Sequence, residues 1–168
     1  MAFRDISVFD LPDNFFTRIG KDWMLVTPGG AGRCNTMTAS WGQVGSLWEK
    51  MVVTAYVRPQ RYTHDFIERE ERFSLCFFPP DSYREELTLL GTKSGRDGDK
   101  IAEAGLTVVD LDGVAAFEEA NLVLICRTLY RQDMLSACFL DKAVDETNYA
   151  AGDYHTMYIA EIEKVYVK

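Results

Sequence analysis

The sequence is short of several things, and each shortage removes a class of function. No apolar run approaches the ~20 residues a membrane helix needs. There is no basic excess. Twenty-six acidic residues against 18 basic ones give a formal charge of −8, which argues against nucleic acid or an anionic membrane as the main partner. Histidine is limited to His64 and His155, and the four cysteines form no Cys-x-x-Cys pair, so a zinc site has few ligands to draw on. Three of the cysteines sit in apolar runs and read as buried free thiols of a reducing compartment. The opening Met1-Ala2-Phe3-Arg4-Asp5 lacks the basic-then-apolar pattern of a signal peptide. These absences predict a cytoplasmic protein.

Catalytic signatures are missing as well. No G-x-S-x-G elbow occurs, neither histidine has a triad-like context, and the carboxylates form no distinctive pair for acid–base work. No G-x-G-x-x-G follows a strand, and the turn Gly29-Gly30-Ala31-Gly32 leads into a strand rather than a helix. Cys34 beside Asn35 has the form of a nucleophile, but an isolated cysteine of this kind is far more often structural.

What is present points to one compact β domain. A chain of 168 residues with 47% hydrophobic and 12% aromatic content fits a single domain, 1–168, with its own core. Strands are expected over Lys21–Thr27, Thr36–Trp41, Met51–Val57, Arg72–Phe78, Leu106–Val109, Val114–Phe117, Asn121–Arg131 and Tyr154–Val167. Pro28-Gly29-Gly30 should stop the first, and Gly42–Lys50 reads as a glycine-containing loop. Short helices are expected near Phe15–Ile19, over Asp65–Glu70 with Thr63 as cap, and after a Ser82–Glu85 capping box. A further one spans Asp99–Ala104, ended by Gly105. Gly91–Gly98 reads as a polar loop, and Asp141–Asp153 as an acidic surface loop. About seven strands without β-α-β alternation predict an antiparallel barrel.

Three stretches carry the chemistry. Cys34–Trp41 sets hydroxyl and amide side chains beside apolar ones; alternation puts Met37 and Ala39 on one face and Thr36, Thr38 and Ser40 on the other. Val57–Thr63 brings Arg58, Arg61 and a helix-start hydroxyl at Thr63. Gly91–Lys100 brings Ser94, Arg96 and Lys100. Together they make a pocket for a phosphorylated, planar cofactor. A phosphate wants backbone N–H groups, hydroxyl donors and one or two cations, with Arg supplying a forked contact. A flat ring wants apolar faces such as Trp41 offers. Each residue also has a plainer reading. Thr63 alone is a cap, Arg58 and Arg61 are solvated cations, Lys100 pairs with Glu103 along a helix, and Trp41 is a core or subunit-contact residue.

The order and spacing of these stretches resemble the flavin reductase-like, FMN-binding split-barrel proteins, and among them the small flavoredoxin-like branch. Phe117-Glu118-Glu119-Ala120, Asp153-Tyr154-His155 and the closing strand add to the likeness, which runs from about Phe15 to the C-terminus. The resemblance implies an antiparallel Greek-key split barrel with a few short helices, forming a homodimer that binds FMN near the subunit interface. By position, Asn35, Thr36, Met37 and Thr38 would line the flavin, with Ser40 and Trp41 close by. Arg61, Tyr62 and Thr63 would take the ribityl phosphate, with Arg58 nearby. Ser94 and Lys100 would complete those contacts, and His155 would lie near the site. It further implies a reductase in which NADH or NADPH passes a hydride to flavin N5, with the hard chemistry belonging to the flavin. Two alternatives stand beside it. One is a carrier exchanging electrons with a basic redox partner protein, which an acidic surface suits. The other is a split barrel that has lost flavin or binds another ligand.

Overall fold

The computed structural model describes residues 2–168. In chain order the elements are β1 (Arg4–Ile6), α1 (Phe15–Thr17) running into a π-helical turn (Arg18–Asp22), β2 (Met24–Gly30), β3 (Arg33–Cys34) and β4 (Met37–Ala39). β5 (Gly42–Leu47), β6 (Lys50–Val57), α2 (Tyr62–Ile67), β7 (Arg72–Phe77), α3 (Arg84–Thr92) and α4 (Lys100–Glu103) follow. The chain closes with β8 (Val108–Leu111), β9 (Val114–Phe117), β10 (Leu122–Asp133), α5 (Lys142–Asn148) and β11 (Thr156–Val167).

Nine strands make one sheet in the order β3-β2-β7-β10-β11-β6-β5, with β4 added to β2 and β1 to β11. Its pairings are antiparallel, and β8–β9 forms a separate hairpin. The fold is the expected antiparallel split barrel.

Period-two alternation explains why the sheet has two cores. Met24 and Val26, Phe73, Leu75 and Phe77, and Leu122, Leu124 and Cys126 point into the barrel. The intervening Leu25, Cys76, Val123 and Ile125 point outward and pack under Leu87 and Leu90 of α3 and Phe117 of β9. β2, β7 and the first part of β10, Leu122 to Cys126, are thus buried on both faces, which is why they read as continuous apolar runs.

Several local expectations are corrected. β2 runs through Pro28 to Gly30, and the chain turns at Ala31-Gly32. Gly42–Leu47 is an edge strand rather than a loop. Gly42 lies so close to Thr54 O and Met24 that a Cβ would crowd both, so here glycine marks close approach. Its hairpin turns at Trp48 (φ 54°) and Glu49 (φ 59°), two left-handed residues where Asn-Gly would be usual. The Ser82–Glu85 capping box does not form, since left-handed Tyr83 holds the cap position of α3 with no side-chain bond. α3 runs to Thr92, into the stretch read as polar loop. The acidic tract after Asp141 contains α5, capped by Asp141 itself, whose side chain accepts from Ala143 N. The strands, expected to be about seven, number eleven among the described residues. All four cysteines are free, but Cys138 is exposed rather than buried.

Candidate functional site

β4, the end of β6, α2 and the 92–100 segment meet along one groove. It has a basic cleft of about 370 Å³ and an aromatic cleft of about 220 Å³, which share Met37, Arg58 and Arg61. Of the residues that the resemblance assigns to the flavin, all but Asn35 and Thr36 line one or both clefts, whereas Arg96 stands outside them, paired with Asp65. Thr36 is fully buried, with its hydroxyl bonded to Thr27 Oγ1 (2.8 Å) and Val26 O (3.3 Å), so its side chain is turned from the groove. Asn35 is also buried and acts through a neighbour, donating from Nδ2 to Thr63 Oγ1 at 2.7 Å.

Thr63 does not cap a helix. α2 begins at Tyr62, Arg61 holds the cap position, and Thr63 lies in the first turn. Because its oxygen accepts from Asn35, its own O–H remains a donor in the basic cleft. Ser94 is similar: Oγ accepts from Arg96 N at 3.2 Å, leaving its proton to donate. α2 is six residues long, so its dipole is a minor part of the site's field.

The cations differ in how far they are committed. Arg58 donates to Asp153 O (3.1 Å) and Asn148 O (3.0 Å), pairs with the Asp153 carboxylate, and stacks 5.1 Å from the Tyr149 ring centroid. It fastens the 148–153 segment. Arg61 donates one nitrogen to Gly91 O at 2.6 Å. Lys100 does not pair with Glu103, which instead pairs with Lys93. Its Nζ is 4% exposed with its residue and donates to Leu90 O (2.8 Å) and Lys93 O (2.9 Å), leaving one of three protons over. Burial, helped by repulsion from Arg61, pulls the Lys100 ammonium down to about 8. Two cations therefore stand together, and among the described residues neither has a carboxylate partner.

The other end is built from uncharged rings, with the shared Arg58 and Arg61 at its border. His155 is buried, with Trp41 at 5.3 Å and Tyr56 at 6.3 Å between ring centroids, and Nδ1 lies 2.8 Å from Tyr149 Oη. Burial first, then the Arg58 charge, lower it to about 4, so the imidazole is uncharged near neutrality. Ser40 and Trp41 are exposed at the mouth, and Thr38 hangs on α3 by donating to Leu87 O at 2.5 Å. Cys34 lies outside both clefts, and burial with the Asp99 charge pushes its thiol up, so it is no ready nucleophile.

Sequence reasoning missed Tyr56, Gln60 and Asp153, which line the clefts, and Tyr149, whose Oη lies 2.8 Å from His155 Nδ1. Strand alternation alone would have turned Tyr56 away from the face that Ala55 and Val57 share, whereas Tyr149 lay in a tract read as surface loop. It also missed a larger cavity, about 800 Å³, between α1, the π-turn and β5. That groove adjoins the aromatic cleft through Ser40, Trp41 and Tyr56, but no cation lines it. The basic cleft is therefore the better place for an anion despite its smaller size. No group of three or more His, Cys, Asp and Glu side chains among the described residues could hold a metal. No helix there is long and apolar enough to cross a membrane.

Residues 16–168 match the family model described as Flavin reductase like domain. No curated protein matches the chain. Among solved structures, the chain is similar to an FMN-binding domain of a flavin reductases-like enzyme from Shewanella baltica, at 15% identity and TM-score 0.70, over 99% of this chain and 77% of that one. It is similar to the flavoredoxin of Desulfovibrio vulgaris, at 21% identity and TM-score 0.66, over 87% and 69%. A Streptomyces globisporus NADH:FAD oxidoreductase aligns at 16% identity and TM-score 0.66, over 88% and 75%. At these identities the likeness establishes the fold. The family match covers nearly the whole chain, and the chain belongs to the flavin reductase-like family.

Proposed function

We propose that this member of the flavin reductase-like family binds FMN along the groove and works as an NAD(P)H-dependent flavin reductase in the cytoplasm, with residues 1–168 as one flavin-binding domain. One observation carries the reading: neither Arg61 nor the buried Lys100 pairs with a carboxylate, since Asp153 in the same cleft is held by Arg58 and Gln60, and both cations stand beside the free hydroxyl protons of Thr63 and Ser94. That set suits a phosphate dianion, whose charge relieves the repulsion between the two cations. Tyr62 adds its backbone and ring edge there. Arg58 contributes charge at longer range while holding the 148–153 segment.

The ring system then extends towards Met37, Thr38, Trp41, Tyr56 and His155. Asn35 and Thr36 serve by fixing β4 and Thr63 rather than by touching the ring. An uncharged His155 suits a neutral heteroaromatic edge, and no carboxylate lines that cleft. When bound, the flavin would supply the redox chemistry, hydride acceptance at N5 with NADH or NADPH as the donor. The protein binds, orients and shields it. The apolar groove beside Trp41, with Phe16 94% exposed, supports a homodimer in which a second copy covers that face.

The visible spectrum of the protein with FMN, before and after anaerobic NADH or NADPH, tests the proposal. A flavin spectrum that bleaches quickly is the expected result; absence of any flavin signal after FMN is added overturns it. Bleaching only by a chemical reductant favours a carrier serving a basic redox partner, a reading that the charge of −8 supports.

A further inference from the structure

A neutral imidazole carries its proton on one of two nitrogens, and the hydrogen bond made at one decides what the other can do. In His155 one nitrogen is settled inside the protein. Nδ1 lies 2.8 Å from Tyr149 Oη, whose other neighbour is Met134 Sδ at 3.5 Å. Nε2 has no partner among the described residues and is not shut away from solvent. Because His155 lines the aromatic cleft, that nitrogen opens onto it.

Tyr149 has one hydroxyl proton and two acceptors within reach. A thioether is a weak acceptor, and 2.8 Å is an ordinary length for a hydroxyl bond, so the proton goes to His155 Nδ1. The Arg58 charge, 5.1 Å from the Tyr149 ring centroid, makes the phenol a better donor still. The ring is also held in place. It stacks on Tyr154 with centroids 4.8 Å apart and 23° between planes, and Tyr149 N donates to Asp145 O at 2.8 Å. The Asp145 carboxylate in turn accepts from Tyr154 Oη (2.7 Å) and Ser136 Oγ (2.6 Å). The phenol cannot swing away without unpacking the end of α5.

We infer that Tyr149 is a positioning residue: its hydroxyl fixes His155 with the proton on Nε2, so the cleft meets an N–H donor rather than a lone pair. The ligand edge seated there is then an acceptor edge, a carbonyl oxygen or an unprotonated ring nitrogen. The consequence for redox poise rests on the flavin reading above and deepens it. Reduction adds negative charge to the carbonyl-bearing edge of an isoalloxazine, and an N–H donor holds that form more tightly than the oxidised one.

Side-chain nitrogen NMR of the flavin-free protein tests the tautomer, the His155 signals being those lost in His155→Phe. The native protein should show a protonated Nε2 and a bare Nδ1. Tyr149→Phe, which keeps the ring, should raise the share of the Nδ1–H form severalfold, and unmoved His64 signals show that the variant is folded. A native proton on Nδ1, or a tautomer indifferent to Tyr149→Phe, overturns the inference. Redox titration with FMN tests the donor's role. His155→Phe should lower the ratio of reduced to oxidised FMN affinity about tenfold, a fall of about 30 mV in the two-electron potential, and Tyr149→Phe should give part of that fall. A potential unmoved by both variants overturns the role at the ligand. If no FMN binds to the unaltered protein, the flavin reading fails and the NMR result still decides the tautomer.

Discussion

The two ends of the groove rest on opposite electrostatics. At the basic end Arg61 and Lys100 repel each other, an unfavourable interaction that an anion relieves. At the aromatic end burial strips His155 of its charge, and Trp41, Tyr56 and Tyr149 pack around a neutral ring. The basic end distinguishes ligands by charge, and the aromatic end by shape and by hydrogen-bonding edge. Affinity and selectivity should therefore separate along the groove, and perturbations can be aimed at one end at a time.

Acid attacks the neutral end and should give the largest effect. The folded value of about 4 for His155 lies below the ordinary 6.5, so its contribution is whole above pH 6.5 and is lost as pH falls through 4. At ~1.4 kcal/mol per pH unit the full loss is about 3 kcal/mol. Urea midpoints at pH 7 and pH 4 should fall much further for the native protein than for His155→Gln. Equal falls would trace the acid sensitivity to other groups.

Next in size, Lys100→Ala should cost FMN about 1.5–3 kcal/mol, roughly ten- to a hundredfold in affinity, and riboflavin far less. Equal weakening of both ligands would remove Lys100 from the phosphate contact. Alkali should act more mildly through the same residue. FMN affinity stays level between about pH 7 and 8, where its phosphate is a dianion, and drops severalfold above that as the Lys100 ammonium loses its proton, while riboflavin titrates flat over the same range. A riboflavin curve that falls in parallel would point instead to a general loosening of the site. The smallest effect belongs to Tyr149→Phe. It removes the hydroxyl at His155 Nδ1 and should lower stability by about 1 kcal/mol without changing the FMN-to-riboflavin affinity ratio. A changed ratio would show that the two ends are coupled.

The barrel was legible because β2, β7 and β10 announce themselves as apolar runs, β6 through its β-forming residues and β11 through alternation. The basic end was legible too, since its cations and hydroxyls lie in three short stretches with distinctive residue types. What could not be read depends on contacts far apart in sequence. β5 forms because β6 is beside it, not because Gly42–Ser46 favours a strand. Thr63 looked like a cap because nothing local reveals that Asn35, 28 residues away, claims its oxygen. Lys100 is kept from Glu103 by carbonyls at Leu90 and Lys93, acceptors that every sequence carries and none displays.

The place of β11 in the sheet has a consequence for how the molecule is made. Thr156–Val167 lies between β10 and β6 and also receives β1, so it joins partners from both ends of the chain. A nascent chain on the ribosome can form hairpins such as β5–β6, but it cannot close the barrel until that strand has emerged. At ~5–20 residues per second, the open edges of β6 and β10 stay exposed for several seconds. His155 arrives with the same stretch, so the aromatic end takes shape last, and a stalled chain presents unpaired edges where the finished protein has its centre.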